Sequence, residues 1–256
     1  MSSLTLEPIR RSDLPQSRED PQYQTWVDAT VQHALDVIAS LVNLDDKVWS
    51  TGKVYNKSEC PTQAYSSKSF PPPGTDTSPF KWHARVSRHA TESYDRFKQG
   101  LLIDHTPHEK QYIEALKHVE KLGETAAGEV EVWRTCWPVL SSSSPSSDDT
   151  DEMPFPTSNR DFTFAICTKE IKSDIGSRAF LVVSMPFDHP KQQGYMRAKY
   201  VSVEHVREDN GEVVWIMATA SDAGGLVPRP VSDLAMPSKI AEDVPGFLRW
   251  LGSQLK

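Results

Sequence analysis

The chain has 256 residues, with 28 Lys and Arg against 35 Asp and Glu, and a formal net charge of −7. That length allows one large domain or two small ones and is enough to bury a sizeable core. The acidic balance excludes a general nucleic-acid binder, which needs a basic patch, and no apolar run reaches the roughly 18–20 residues that span a bilayer.

The first residues, Met-Ser-Ser-Leu-Thr-Leu-Glu, lack the basic-then-apolar order of a secretory signal, and with Ser at position 2 the N-myristoylation pattern is absent. Residues 1–19 read as poorly ordered. The first periodic element follows, with Asp20 as N-cap and Pro21 at the first helical position. Trp26, Val27, Val31, Ala34, Leu35, Ile38, Leu41 and Val42 share one face of it. Val48–Asn56 reads as a strand, and Thr62–Phe70 is a further candidate. Pro71-Pro72-Pro73-Gly74 then forces a turn, because proline fixes φ and removes donors. Phe80–His89 is extended. A helix is expected over Thr91–Gln99, stopped by Gly100. Thr106-Pro107-His108-Glu109 has the pattern of a capping box and opens a third helix that buries Tyr112, Ile113, Leu116 and Val119.

Extended runs follow at Gly128–Val139, Asp161–Lys169, Arg178–Pro186, Arg197–Arg207 and Glu212–Ala220. The Ser/Asp-rich stretch at 140–159 reads as a disordered loop inserted among them. It carries −4 of the net charge, which leaves the rest of the chain near neutral. Asn210-Gly211 between two extended runs is a hairpin signal. A final helix spans Pro237–Leu255, with Ile240, Val244, Phe247, Leu248, Leu251 and Leu255 on one face. Pro245 is expected to split it in two. The cysteines, Cys60, Cys136 and Cys167, are few and contain no CxxC pair. They make neither a disulfide framework nor a zinc site and suit a reducing, cytoplasmic setting.

The element order implies an α+β fold of short antiparallel strands closed by a long terminal helix. Several stretches resemble a fungal family of START-like domains of unknown function. They are Trp82-His83-Ala84-Arg85, Phe97 to His105 with Glu109 and Tyr112-Ile113, Tyr200 to Glu204, Trp215 to Gly225, and Pro237 to Val244. The resemblance covers roughly residues 45 to 252. It implies one START-like, or helix-grip, domain over 20–256: an antiparallel sheet curved around the C-terminal helix, with two helices inserted between strands. It also implies an internal cavity that takes a hydrophobic small molecule or lipid.

The residues offer some chemistry to set beside that. Strand Val213–Thr219 is apolar on both faces, so it is either covered twice or lines a cavity. Arg85, Glu204, Trp215, Met217 and Phe247 are the candidate ligand-binding residues: apolar walls with two polar handles. Gly224, Gly225 and Pro245 are candidate gate residues, since paired glycines reverse the chain tightly and proline weakens the helix. The alternative is a cofactor-independent cyclase or isomerase acting on a hydrophobic intermediate of fungal secondary metabolism. It needs a buried acid–base pair, for which His83, His89, Glu131 and Glu204 are the candidates. Asp104-His105-Thr106-Pro107-His108-Glu109 gathers potential ligands, but no histidine stands at position 112 to complete HExxH, and the capping box already accounts for two of them. No metal and no cofactor are expected. No stable membrane insertion is expected either, and oligomeric state leaves no mark in the sequence.

Overall fold

The structure, a computed structural model, describes residues 3–68, 71–77, 79–138, 158–172 and 178–254. Almost all of the Ser/Asp-rich stretch at 140–159 lies outside the described residues. In chain order the elements are β1 (Leu4–Thr5), α1 (Tyr23–Val42), β2 (Trp49–Tyr55), β3 (Thr62–Ser67), β4 (Thr75–Asp76) and β5 (Trp82–His89). Then come α2 (Tyr94–Phe97), a π-helical turn over Lys98–Leu102, α3 (His105–Tyr112), β6 (His118–Ala126), β7 (Val130–Trp137), β8 (Arg160–Lys172) and β9 (Arg178–Pro186). The chain closes with β10 (Met196–Arg197), β11 (Lys199–Asp209), β12 (Glu212–Asp222) and α4 (Arg229–Ser253).

The main sheet runs β2-β3-β5-β12-β11-β9-β8-β7-β6, with β10 added beside β8. Every neighbouring pair on that path is antiparallel. The Asn210-Gly211 hairpin joins β11 to β12, and both turn residues have positive φ, 53° and 83°, as a two-residue turn of this hand requires. This is the α+β helix-grip order expected from the sequence.

The two apolar faces of β12 have separate partners. Val214, Ile216, Ala218 and Ala220 join Trp82, Ala84 and the α1 residues Val27, Ala34, Val37, Ile38 and Leu41 in one core. Val213 and Trp215 face the other way and join Phe97, Phe164, Phe180, Val244, Phe247 and Leu251 in a second. Alternation along a strand sends successive side chains to opposite faces, so a sheet covered by α1 on one side and by α2, α3 and α4 on the other has few solvent positions in its centre.

Several local expectations differ from the structure. The second helix starts at Tyr94, and Gly100 does not stop it, since the π-helical turn runs through that residue to Leu102. Residues 3–19, expected to be poorly ordered, are docked. Leu4, Leu6 and Leu14 are buried, the Leu4 amide donates to the Gly74 carbonyl at 2.8 Å, and β1 pairs with β4. Backbone bonds between Ile9 and both Pro186 and Asp188, and the Thr125 hydroxyl on the Pro15 carbonyl, hold the same segment. Helix α1 begins at Tyr23. Asp20 caps the turn before it instead, accepting from the Gln16 and Gln22 amides. The capping box does not form. Asp104, in a left-handed conformation with φ 47°, precedes α3, and the Thr106 hydroxyl is buried without a hydrogen bond. Helix α3 stops at Tyr112, and the run after it is strand β6. Its Glu, Lys, Leu and Ala favour helix by propensity, but pairing with β7 wins. Finally, α4 starts eight residues early and runs unbroken through Pro237 and Pro245.

Candidate functional site

Period two along three neighbouring strands fixes what faces α4. From β5 these are His83, Arg85, Ser87 and His89. From β12 they are Val213, Trp215, Met217 and Thr219, and from β11 they are Tyr200, Ser202, Glu204 and Val206. The register puts Arg85, Met217 and Glu204 in one row across β5, β12 and β11. Arg85 is 1% exposed, and its guanidinium lies 3.8 Å above the Trp215 ring. Its Nε and Nη1 have no hydrogen-bond partner. The Trp215 indole N–H donates to Glu204 Oε2 at 2.7 Å. Burial works to lower the Arg85 pKa, and the Glu204 and Asp243 carboxylates work against that.

The helical layer adds a second set of polar groups. In the π-helical turn the Ile103 amide reaches back to the Lys98 carbonyl, which leaves the carbonyls of Gly100 and Leu101 without their α-helical donors. Imidazoles fill the gap: His105 Nδ1 donates to Leu101 O at 2.6 Å and His108 Nδ1 to Gly100 O at 3.2 Å. His105 Nε2 then points at two carboxylates, Glu109 Oε1 at 3.5 Å and Glu204 Oε1 at 3.7 Å. Burial lowers the His105 pKa, but Glu109 and then Glu204 outweigh it and push it up to about 9. Asp243, on α4, is pushed up to about 7 by burial, against the pull of Arg85. Burial raises the Tyr112 and Tyr200 phenols well above their usual range.

Packing across this interface is uneven. At the C-terminal half of α4, Phe247 meets Phe97 and Trp215 with ring centroids 5.1 Å apart in each case, and the space is filled. Trp215 and Phe247, expected to line a cavity, pack on each other instead: aromatic area buries best in edge contacts, and nothing separates them. Toward the N-terminal half, side chains on both sides keep uncovered surface. On the sheet these are Tyr200, Met217 and Ser221, and on the helix Asp233, Met236 and Asp243 are half-buried. Two shallow concavities of about 240 and 220 Å³ lie elsewhere, one near Phe187 and Arg197 and one near Cys60, His89 and Leu248.

The remaining sequence candidates separate. His83 hydrogen-bonds with the Ser66 hydroxyl at 3.0 Å and faces Asp233 of α4 at 3.3 Å. Burial lowers its pKa and Asp233 opposes that. His89 hydrogen-bonds with Ser87 Oγ at 2.8 Å, and burial, helped by Arg85, pushes its pKa down to about 4. Glu131 stands apart from the row, holding Lys121, the Trp133 indole and the Gly128 amide at the β6–β7 end. The paired glycines sit in a closely approached turn beside Met196 and Arg197. A Cβ on Gly224 would lie 2.3 Å from the Arg197 carbonyl, and Arg160 Nε ties down the Ala223 carbonyl at 2.7 Å. Gly224 (φ 66°) and Gly225 (φ 67°) supply a backbone that other residues rarely adopt. Pro245 lies inside α4, one residue before Gly246, whose own Cβ would approach the Tyr112 carbonyl at 3.0 Å.

His105, Glu109, Tyr112 and Asp243 were not among the sequence candidates. The readable signal was His105 and Glu109 four apart, one helical turn, but the apparent capping box explained it away.

A family model described as a protein of unknown function, DUF3074, matches residues 82–251, from the start of β5 to near the end of α4. The chain belongs to this family. A Schizosaccharomyces pombe relative, uncharacterized protein C577.11, is 24% identical over 255 residues, covering 95% of this chain and 92% of its own. Among solved structures, human StAR-related lipid transfer protein 5 superposes with a TM-score of 0.61 at 12% identity, covering 91% of this chain and all of its own. A STAR-related lipid transfer protein from Xanthomonas axonopodis gives 0.57 at 16% identity, covering 79% and 98%. These two share the fold. Trp82 to Arg85, which open the family match, form the first half of β5, and Pro237 to Val244 form the centre of α4.

Proposed function

We propose that this chain binds a hydrophobic small molecule or lipid between the sheet and the N-terminal half of α4. The observation that carries the reading is the half-buried lining on both sides of that space, ending on the buried row of Arg85, Met217 and Glu204. The apolar parts of that lining, Tyr200, Met217 and Met236, contribute affinity at roughly 25 cal/mol per Å² buried, and the row supplies polar partners for one end of the guest. The likeness to START lipid-transfer domains supports the same reading through the fold.

The cyclase or isomerase alternative has less support. Of its four candidates, Glu131 lies apart from the row, and His83 and His89 are each engaged by a neighbouring hydroxyl. Glu204 is held by the Trp215 indole.

The test is native mass spectrometry of the protein purified from a fungal host. One lipid-like guest per chain is expected. Met217→Trp, which fills the space without changing the number of charges, should reduce the retained fraction several-fold. A wild-type protein that comes out empty, with no uptake from mixed lipid vesicles, overturns the reading.

A further inference from the structure

We propose that His105, Glu109 and Glu204 form a binding site for one divalent first-row transition-metal ion. Helix α3 delivers His105 and Glu109 one turn apart on the same face, and β11 delivers Glu204 from the sheet. One atom from each, an imidazole nitrogen and two carboxylate oxygens, all lie within 4.8 Å of one another.

The spacing is the first argument. His105 Nε2 is 3.5 Å from Glu109 Oε1 and 3.7 Å from Glu204 Oε1. Both exceed the roughly 3.2 Å limit of an ordinary N–H···O hydrogen bond. Metal–ligand bonds of about 2.1 Å at tetrahedral angles put neighbouring ligand atoms about 3.4 Å apart. The two His105–carboxylate separations therefore match the edges of a coordination polyhedron, and the two carboxylate oxygens lie within 4.8 Å of each other.

Charge balance is the second, independent argument. Two carboxylates are placed here with side-chain exposures of 19% for Glu109 and 8% for Glu204. Among the described residues no Lys or Arg nitrogen lies within 4 Å of either. Arg85 is close enough to act on Glu204 through space, but it is stacked on Trp215 and makes no ion pair with the carboxylate. Buried carboxylates are ordinarily paired or bound to a cation, and here, among the described residues, the His105 imidazole alone can bring a positive charge within 4 Å of the two.

The outer contacts suit the same role. The Leu101 carbonyl can only accept, so His105 Nδ1 carries the proton it donates and Nε2 is the nitrogen turned to the site. The Trp215 indole holds Glu204 Oε2 and leaves Oε1 facing His105. One imidazole with two carboxylates suits Zn²⁺ or Mn²⁺ better than Mg²⁺ or Ca²⁺, which favour all-oxygen sets. Three protein ligands leave a coordination position open toward the interior, where the ion would polarise an oxygen of whatever binds there.

The test is a calorimetric titration of chelator-treated full-length protein with ZnCl₂, followed by CoCl₂ with the visible absorption recorded. One equivalent per chain is expected, with a cobalt band of the intensity that marks a low-symmetry protein site. Glu109→Gln and His105→Gln should each weaken binding about 100-fold or more, and Trp215→Phe about 10-fold. Glu109 is the least buried of the three, so Glu109→Gln decides the matter if His105→Gln does not fold. No uptake by the wild type, or wild-type affinity in folded Glu109→Gln, overturns the proposal. The titration reads the ion alone, so failure to find a hydrophobic guest would not count against it.

Discussion

Phe247→Ala probes the packing that divides the interface under α4. The side chain is fully buried, and its ring meets Phe97 and Trp215 at 5.1 Å, Tyr112 at 5.4 Å and Trp250 at 5.8 Å between centroids. Removing a buried phenylalanine ring costs about 3–5 kcal/mol, the larger values belonging to sites that cannot collapse. This site is of that kind. Trp215 is held from below by the Arg85 stack and the Glu204 hydrogen bond, and Phe97 is wedged between Trp215 and His89. Neither can swing into the void, so a loss of about 4–5 kcal/mol is expected. For a chain of this size that lowers Tm by roughly 10–15 °C. Equilibrium urea denaturation is the assay, with an unchanged m-value as evidence that the unfolded state is unaffected. Phe247→Leu, which refills most of the volume, should recover about half of the loss. A drop below about 1.5 kcal/mol for the alanine variant would mean that the C-terminal half of the interface is loosely packed, and would refute the division of the interface at Asp243.

Two further predictions use the same assay. Gly100→Ala should destabilise by about 1–3 kcal/mol, because the new Cβ would lie 2.7 Å from the Phe247 ring. Helix propensity alone predicts the opposite sign, so a stabilised variant refutes the close contact. His89 and His205 are both buried, and burial is the main cause that pushes each pKa down to about 4. Their unfolded value is about 6.5, so the unfolded chain binds more protons between the two, and stability is full above about 6.5 and falls as pH drops toward 4. Each histidine accounts for up to about 3 kcal/mol of that fall. His205→Gln should flatten the decline measured between pH 7 and 4.5, and an unchanged slope would count against its burial as a neutral base.

Elements whose local chemistry agreed with their tertiary setting could be read from the sequence. The α1 stripe, the Asn210-Gly211 hairpin and the double apolar face of β12 each had one consistent signal, and the shared face of His83, Arg85 and His89 followed from alternation. Residues 118–126 could not be read so directly. Glu120, Lys121, Leu122 and Ala126 are good helix formers, and only the partner strand β7 makes the run extended. Thr106 and Glu109 misled for a related reason. Their spacing is that of a capping box, but the cap position went to Asp104, which freed Glu109 to face His105. Glu204 reaches that pair from nearly a hundred residues away, a juxtaposition that exists only once β11 pairs with β12 and α3 lies across them. Arg85 and Glu204 were legible as polar residues on apolar strands. Their shared row, and the stacking on Trp215, required the register.

That row also constrains what kind of guest the proposed site would hold. C-terminal to Asp243, α4 presses aromatic rings onto the sheet; N-terminal to it, both surfaces are incompletely covered. The change falls at Arg85, Met217 and Glu204, so the proposed reading puts these polar groups at one end of the guest. Arg85 holds two nitrogens there, Nε and Nη1, whose N–H groups have no acceptor, and each unpaired buried donor costs about 1–3 kcal/mol. A wholly apolar guest would leave that cost in place. One carrying a hydroxyl or carbonyl at its buried end would relieve it while still covering Met217. The proposed reading therefore favours an amphipathic guest that enters polar end first, with its apolar body along the N-terminal half of α4. An alkane-like molecule of equal area should bind more weakly, by roughly the cost of one unpaired donor.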